Sequence, residues 1–171
     1  MSYISKKSLE KARELLRENK ETCGHIVDTE IIFDIKDSGP KMCIQNKYTP
    51  YIWHTHIESR IAYPTGEDIV KMIKKRDNPI VSIIFSSWGI WEITVKNKYD
   101  LSPQNVEEII KKINKYYSKL YFISEKGRVF KPELLEDILN INNHISKQFE
   151  IFGLKILFTP WELIGNKYIF Y

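Results

Sequence analysis

Cysteine is scarce in this chain: its 171 residues include two, Cys23 and Cys43. Two cysteines do not make a disulfide framework, so a small cysteine-stapled scaffold is excluded. Charge of one sign is also lacking. The formal net charge is +4, and the lysines are interleaved with Glu and Asp, which reads as solvated helix faces rather than the basic patch of a nucleic-acid binder. There is no long apolar run. The uncharged stretch from Asn78 to Trp91 is too short for a membrane span and carries Pro, Ser and Gly. No apolar leader precedes a cleavage site; the chain opens Ser2-Tyr3-Ile4-Ser5-Lys6-Lys7 and passes into a charged helix. There is no internal repeat, low-complexity tract or evident linker. These absences lead us to expect an intracellular, cytoplasmic protein with reduced thiols, with neither nucleic acid nor membrane among its partners.

What is present suits a globular domain. At 43% hydrophobic and 28% charged, the chain can bury a substantial core. Ten Tyr and four Trp supply large packing surfaces. The length suits a single domain over residues 1–171, with a core over about 5–100 and C-terminal helices and a strand over 101–171 that complete or extend it.

Periodicity gives the order of elements. Ser5 to Asn19 reads as an amphipathic helix, with Leu9, Ala12, Leu15 and Leu16 on one side. Cys23 to Ile35 reads as two strands around a turn at Asp28-Thr29-Glu30, and Asp37-Ser38-Gly39-Pro40 as a further turn. Lys41 to Asn46 is another strand candidate. Tyr51 to His56 reads as a strand, and Ile57 to Tyr63 as a loop. Thr65 starts a helix that runs to about Arg76. Strands follow over Ile80–Ser86 and Ile90–Lys96. Ser102-Pro103 opens a helix by cap and first-turn proline, another begins near Pro132, and Leu154–Phe158 reads as a last strand. Helices alternating with strands define an α/β layered domain.

The chemistry concentrates in one place. Two of the four histidines occur as His54-Thr55-His56, and Pro64-Thr65-Gly66-Glu67-Asp68 follows a short loop later. On a strand, residues two apart share a face, so both imidazoles point the same way. Asp68 falls in the first turn of the next helix and can bring a carboxylate to the same point. Two His and one Asp with an open fourth position is a catalytic zinc arrangement. Each part also has a plainer reading. Thr65 and Asp68 are spaced as a helix capping box, and His-x-His can be an ordinary hydrogen-bonded pair on a strand. The readings are compatible: Thr65 can cap the helix while Asp68 turns toward the histidines. A zinc hydrolase needs in addition a carboxylate to take a proton from water. Glu21 and Glu30 flank the first β segment, and their chemistry alone does not choose between them.

Glu21-Thr22-Cys23-Gly24, then His54-Thr55-His56, then Thr65-Gly66-Glu67-Asp68, resembles in order and spacing the signature of the JAMM (MPN-type, JAB-domain) zinc isopeptidases: a Glu, His-Ser/Thr-His, a short spacer and Ser-x-x-Asp. The resemblance covers about Ser5 to Tyr99. It implies an MPN (JAB)-like fold, a curved mixed β-sheet flanked by helices with a helical C-terminal part. It implies one Zn2+ held by His54, His56 and Asp68, with Glu21 as general acid/base through the bound water. Thr65 stands in place of the serine that helps stabilise the tetrahedral intermediate. The implied reaction is hydrolysis of a peptide or isopeptide bond, with a ubiquitin-like protein or a peptide as substrate. Thr for Ser at position 65 keeps the hydroxyl but restricts its rotamers, and Ile57 stands where many members have Pro. The alternative within the same fold is a non-catalytic interaction scaffold. Other zinc enzymes fit poorly. His56-Ile57-Glu58 spells the first half of a deaminase motif, but the Pro-Cys-x-x-Cys half is missing. There is no His-Glu-x-x-His helix. His25 and His144 have no partner at ligand spacing and read as structural or exposed.

Overall fold

The computed structural model describes residues 4–18, 21–34, 49–57, 62–74, 80–125 and 132–164. Its centre is a six-stranded mixed sheet in the order β2-β1-β3-β4-β5-β6. The strands are β1 (Cys23–Val27), β2 (Glu30–Phe33), β3 (Tyr51–His56), β4 (Val81–Ser86), β5 (Gly89–Thr94) and β6 (Lys155–Pro160). The β3–β4 pair is parallel; all other neighbours run antiparallel. A parallel pair needs a crossover, and α2 (Gly66–Ile73) supplies it. The remaining helices are α1 (Lys6–Leu15), α3 (Pro103–Glu125) and α4 (Pro132–Gln148). The sequence therefore does encode an α/β fold with a mixed sheet flanked by helices. The strand candidate over Lys41–Asn46 lies outside the described residues.

Alternation along β3 decides what each face of the sheet carries. Trp53 points to the α1 side, where Leu9, Ala12, Leu15, Ile83 and Phe85 form one core cluster. Ile52 points to the other side, into a larger core built with α2, α3 and α4 that includes Ile69, Ile84, Trp91, Ile113 and Tyr117. All six residues of β4 are buried, as expected for a strand covered on both faces. His54 and His56 share the Ile52 side, so they face α2.

Several element ends have local causes. At the tip of the β1–β2 hairpin, Asp28 and Thr29 take positive φ, 47° and 73°, the conformation that a tight two-residue hairpin turn demands. Helix α2 ends at Ile73, three residues before Arg76. Lys74 leaves the helix to bridge Tyr99, and the Lys98 ammonium donates to the Met72 carbonyl. Gly24 is required by a close approach: a Cβ there would run into the Ile32 carbonyl oxygen and lie 2.9 Å from Trp53 Nε1. That indole nitrogen donates to His25 O and Ile32 O, both at 3.1 Å, and so ties β3 to β1 and β2.

One expectation is corrected. Cys23 is buried and disulfide-bonded, and no described cysteine is a free thiol. Two cysteines are too few for a framework but enough for one bridge, so counting them did not exclude a bond. The intracellular assignment loses the support it drew from reduced thiols. Cys43 lies outside the described residues. None of the described helices is long and apolar enough to cross a membrane.

Candidate metal centre

The sheet register builds the site. β3 ends at His56, beside Ser86 of β4 and next to the N-terminus of α2. The Nε2 atoms of His54 and His56 are 3.0 Å apart. Asp68 reaches both: Oδ1 is 3.2 Å from His54 Nε2, and Oδ2 is 3.4 Å from His56 Nε2. In a tetrahedral site with zinc–ligand bonds near 2.0 Å, neighbouring donors lie about 3.3 Å apart. The imidazole nitrogens and the nearer carboxylate oxygen of each contact lie around that value, though the two contacts use different Asp68 oxygens. His54, His56 and Asp68 are close enough to hold a metal ion, and no other cluster of three such groups occurs among the described residues.

Asp68 also completes a capping box. Its Oδ2 accepts the Thr65 N–H at 2.8 Å, while its own N–H donates to Thr65 Oγ1 at 3.3 Å. The Thr65 hydroxyl lies 2.8 Å from Oδ2 and donates to it. The cap thus fixes one oxygen of the carboxylate and aims the other at His54. Burial by itself would raise the Asp68 pKa. The charges of His54 and His56, with the hydrogen bonds from His54 and the Thr65 backbone, outweigh it and hold the carboxyl well below its usual range.

The helix start is itself held from outside. Gly66 N–H donates to Asn114 Oδ1 of α3 at 2.6 Å. A Cβ at Gly66 would lie 2.5 Å from Ile110 Cα and 2.6 Å from Ile110 O. Glycine therefore lets α2 lie directly on the α3 backbone, and α3 sets the depth at which Thr65 and Asp68 sit.

The two imidazoles are held differently. His56 Nδ1 is 3.0 Å from the Tyr63 carbonyl, which requires a proton on Nδ1 and leaves Nε2 as the atom that faces His54 and Asp68. A carbonyl on the far nitrogen is the usual outer support of a metal-bound histidine. Nothing in the sequence marks this contact, because a loop backbone atom makes it. His54 Nδ1 is buried and has no hydrogen-bond partner among the described residues.

The two glutamates lie at opposite ends of the hairpin. Glu30 opens β2 opposite Val27, at the end of β1 remote from His54, and accepts Ser8 Oγ at 2.8 Å. Hydrogen bonds from Ser5 and Ser8 lower its pKa. Glu21 is exposed at the other end. Cys23 pairs with His54, and Thr55 N–H donates to Thr22 O at 2.9 Å. Glu21 lies two residues before Cys23, at the same end of the β1–β3 pair as His54 and His56. His25, read as structural or exposed, is half-buried and bonded through Nδ1 to Asp34 Oδ1 at 2.7 Å. His144 is exposed on α4, with Nε2 lying 3.2 Å from Gln148 Nε2. No protein-family model, curated protein or solved structure matches the chain.

Proposed function

We propose that this chain is a zinc-dependent hydrolase of peptide or isopeptide bonds, of the JAMM (MPN) type. The observation that carries the proposal is the convergence of His54, His56 and Asp68, with Glu21 just beyond the start of β1, the strand that pairs with β3. A zinc ion held by His54, His56 and Asp68 would supply a water of pKa ~7 and a Lewis acid for the scissile carbonyl. The protein's own groups would do the rest. Glu21 would take a proton from water and deliver it to the leaving amine, which for an isopeptide is a lysine ε-amine. Tyr63 O holds the tautomer of His56. Thr65 fixes Asp68; to donate to the carbonyl oxygen of a substrate, its hydroxyl must turn away from Asp68 Oδ2. The substrate class we assign is a ubiquitin-like conjugate or an extended peptide.

Metal analysis is the first test. The purified chain should hold one zinc, and His56→Ala should hold none. Zinc-loaded protein should then cleave ubiquitin-like conjugates or peptides, and Glu21→Gln should abolish cleavage while retaining zinc. A folded wild type that takes up no supplied zinc would reduce Thr65 and Asp68 to a helix cap. The engagement of the Thr65 hydroxyl by Asp68 favours the scaffold alternative, for which zinc binding without any turnover is the expected result.

A further inference from the structure

We infer that Thr55, on the face of β3 opposite the two histidines, is a positioning residue that fixes where Glu21 stands relative to the metal-ligand group; this inference rests on the hydrolase reading above. The β1–β3 ladder pairs His25 with Ile52, Gly24 with Trp53 and Cys23 with His54. At the next rung the pattern changes. Thr55 N–H donates to Thr22 O at 2.9 Å, as a backbone rung should. The Thr22 N–H instead donates to Thr55 Oγ1, at 2.9 Å. The Thr55 hydroxyl is also 3.2 Å from Thr22 Oγ1 and donates to Thr22 O at 3.3 Å. A hydroxyl offers one hydrogen and two lone pairs, so this one both receives from and gives to Thr22. The regular strand ends here, and Glu21 is the next residue out.

The arrangement couples three functional groups through one residue. Thr55 lies between His54 and His56 in sequence, so its backbone carries both imidazoles. Its side chain, fully buried, holds the residue next to Glu21. The spacing between the proposed base and the ligands is thus fixed from behind the sheet, with no contact to the reacting groups. Replacing Thr55 by Val keeps the shape and the β-branching but removes the acceptor for Thr22 N–H. The ligands stay; the tether on Glu21 goes. Ser retains the hydroxyl and should restore it.

The test uses the full chain loaded with Co2+ in place of zinc, with cobalt stoichiometry and the pH dependence of its visible absorption as readouts. Wild type, Thr55→Val, Thr55→Ser and Glu21→Gln should each bind one cobalt per chain. A carboxylate held against water at the open position disfavours a second negative charge there, so Glu21→Gln should lower the midpoint by about one pH unit. Thr55→Val should lower it to a similar extent, the double variant should add nothing, and Thr55→Ser should match wild type. If Thr55→Val tracks wild type while Glu21→Gln shifts, the tether is overturned and the hydrolase reading stands. If Glu21→Gln binds cobalt without a shift, the role of Glu21 and the tether both fall. If wild type binds no cobalt, the metal reading falls and the tether with it. Amide exchange on wild type checks the contact without any variant. The Thr22 amide should be protected although it precedes β1, and exchange at the rate of an open chain would overturn the inference.

Discussion

Two groupings of histidine and carboxylate share one face of this sheet, a strand apart, and they have different character. His25 and Asp34 meet through one imidazole nitrogen and one carboxylate oxygen at 2.7 Å. His54, His56 and Asp68 set two imidazoles against one carboxylate, with the Nε2 atoms 3.0 Å from each other. Burial does not separate them: the His25 and Asp34 side chains are 15% and 13% exposed, and those of His54, His56 and Asp68 are 18%, 8% and 16%. The number of imidazoles does. His25 brings one imidazole to its carboxylate contact. Two imidazole nitrogens turned toward each other need a proton or a cation between them, and a carboxylate with one oxygen pinned by a helix cap offers the other to it. The lesson is that convergence of donors, rather than charge or depth, singles out the candidate metal centre.

Removing a ligand should break the comparison most strongly. His54→Ala or His56→Ala should abolish stoichiometric metal binding, whereas His25→Ala should leave metal content at the wild-type level; elemental analysis of the purified variants checks both. A pH experiment sharpens the same contrast. The Asp68 pKa is depressed in the folded protein, so its contribution to stability is fully present above the ordinary carboxylate value of 3.8 and is lost as pH falls through the lower folded value. Acid titration of the metal-free protein, followed by circular dichroism, should therefore show a steeper loss of stability below that pH for wild type than for Asp68→Asn.

Gly66→Ala should come next in size. At the start of a helix this change ordinarily gains a few tenths of a kcal/mol or more by restricting the unfolded chain. Here the new methyl would meet Ile110 Cα at 2.5 Å and Ile110 O at 2.6 Å, both backbone atoms that cannot swing aside. We expect a loss of about 1–3 kcal/mol and weaker metal binding, because Thr65 and Asp68 ride on the displaced helix end. Denaturant unfolding with and without zinc separates the two effects.

The candidate metal centre is legible in the sequence to the extent that local rules build it. Period-two alternation placed His54 and His56 together, and the spacing from Thr65 to Asp68 gave the capping box; the structure shows that the cap and the convergence coexist. What stayed hidden depends on non-local pairing. That Glu21 and Glu30 lie at opposite ends of the β1–β2 hairpin, with Glu21 at the end near His54, follows from the antiparallel register of β1 with β2 and β3. The need for glycine at position 66 comes from α3, more than 40 residues away in the chain. The Tyr63 carbonyl behind His56 belongs to a loop backbone, on which no side-chain pattern reports. The bond at Cys23 was missed for another reason: a cysteine count tests for a framework of bridges and says nothing about a single one. The layered α/β architecture was visible because each element carries its own periodicity, while the strand order β2-β1-β3-β4-β5-β6 is a property of the assembled sheet.

The smallest expected effects are those of Thr65 and Asp34, and they test whether a carboxylate partner acts on the metal centre or only on stability. Thr65→Ala removes the hydroxyl from the capping box and should cost about 1 kcal/mol. Because that hydroxyl also holds Asp68 Oδ2, metal affinity should fall by roughly 10–100-fold, the usual cost of losing an outer support; Thr65→Ser should recover most of both. Asp34→Asn removes a carboxylate of similar burial from the His25 contact. It should cost up to about 1 kcal/mol and leave metal affinity unchanged. Calorimetric titration with zinc alongside thermal melts gives both quantities for each variant. A fall in zinc affinity for Asp34→Asn equal to that for Thr65→Ala would mean that the two groupings act as one site, and the distinction drawn from their number of imidazoles would not hold.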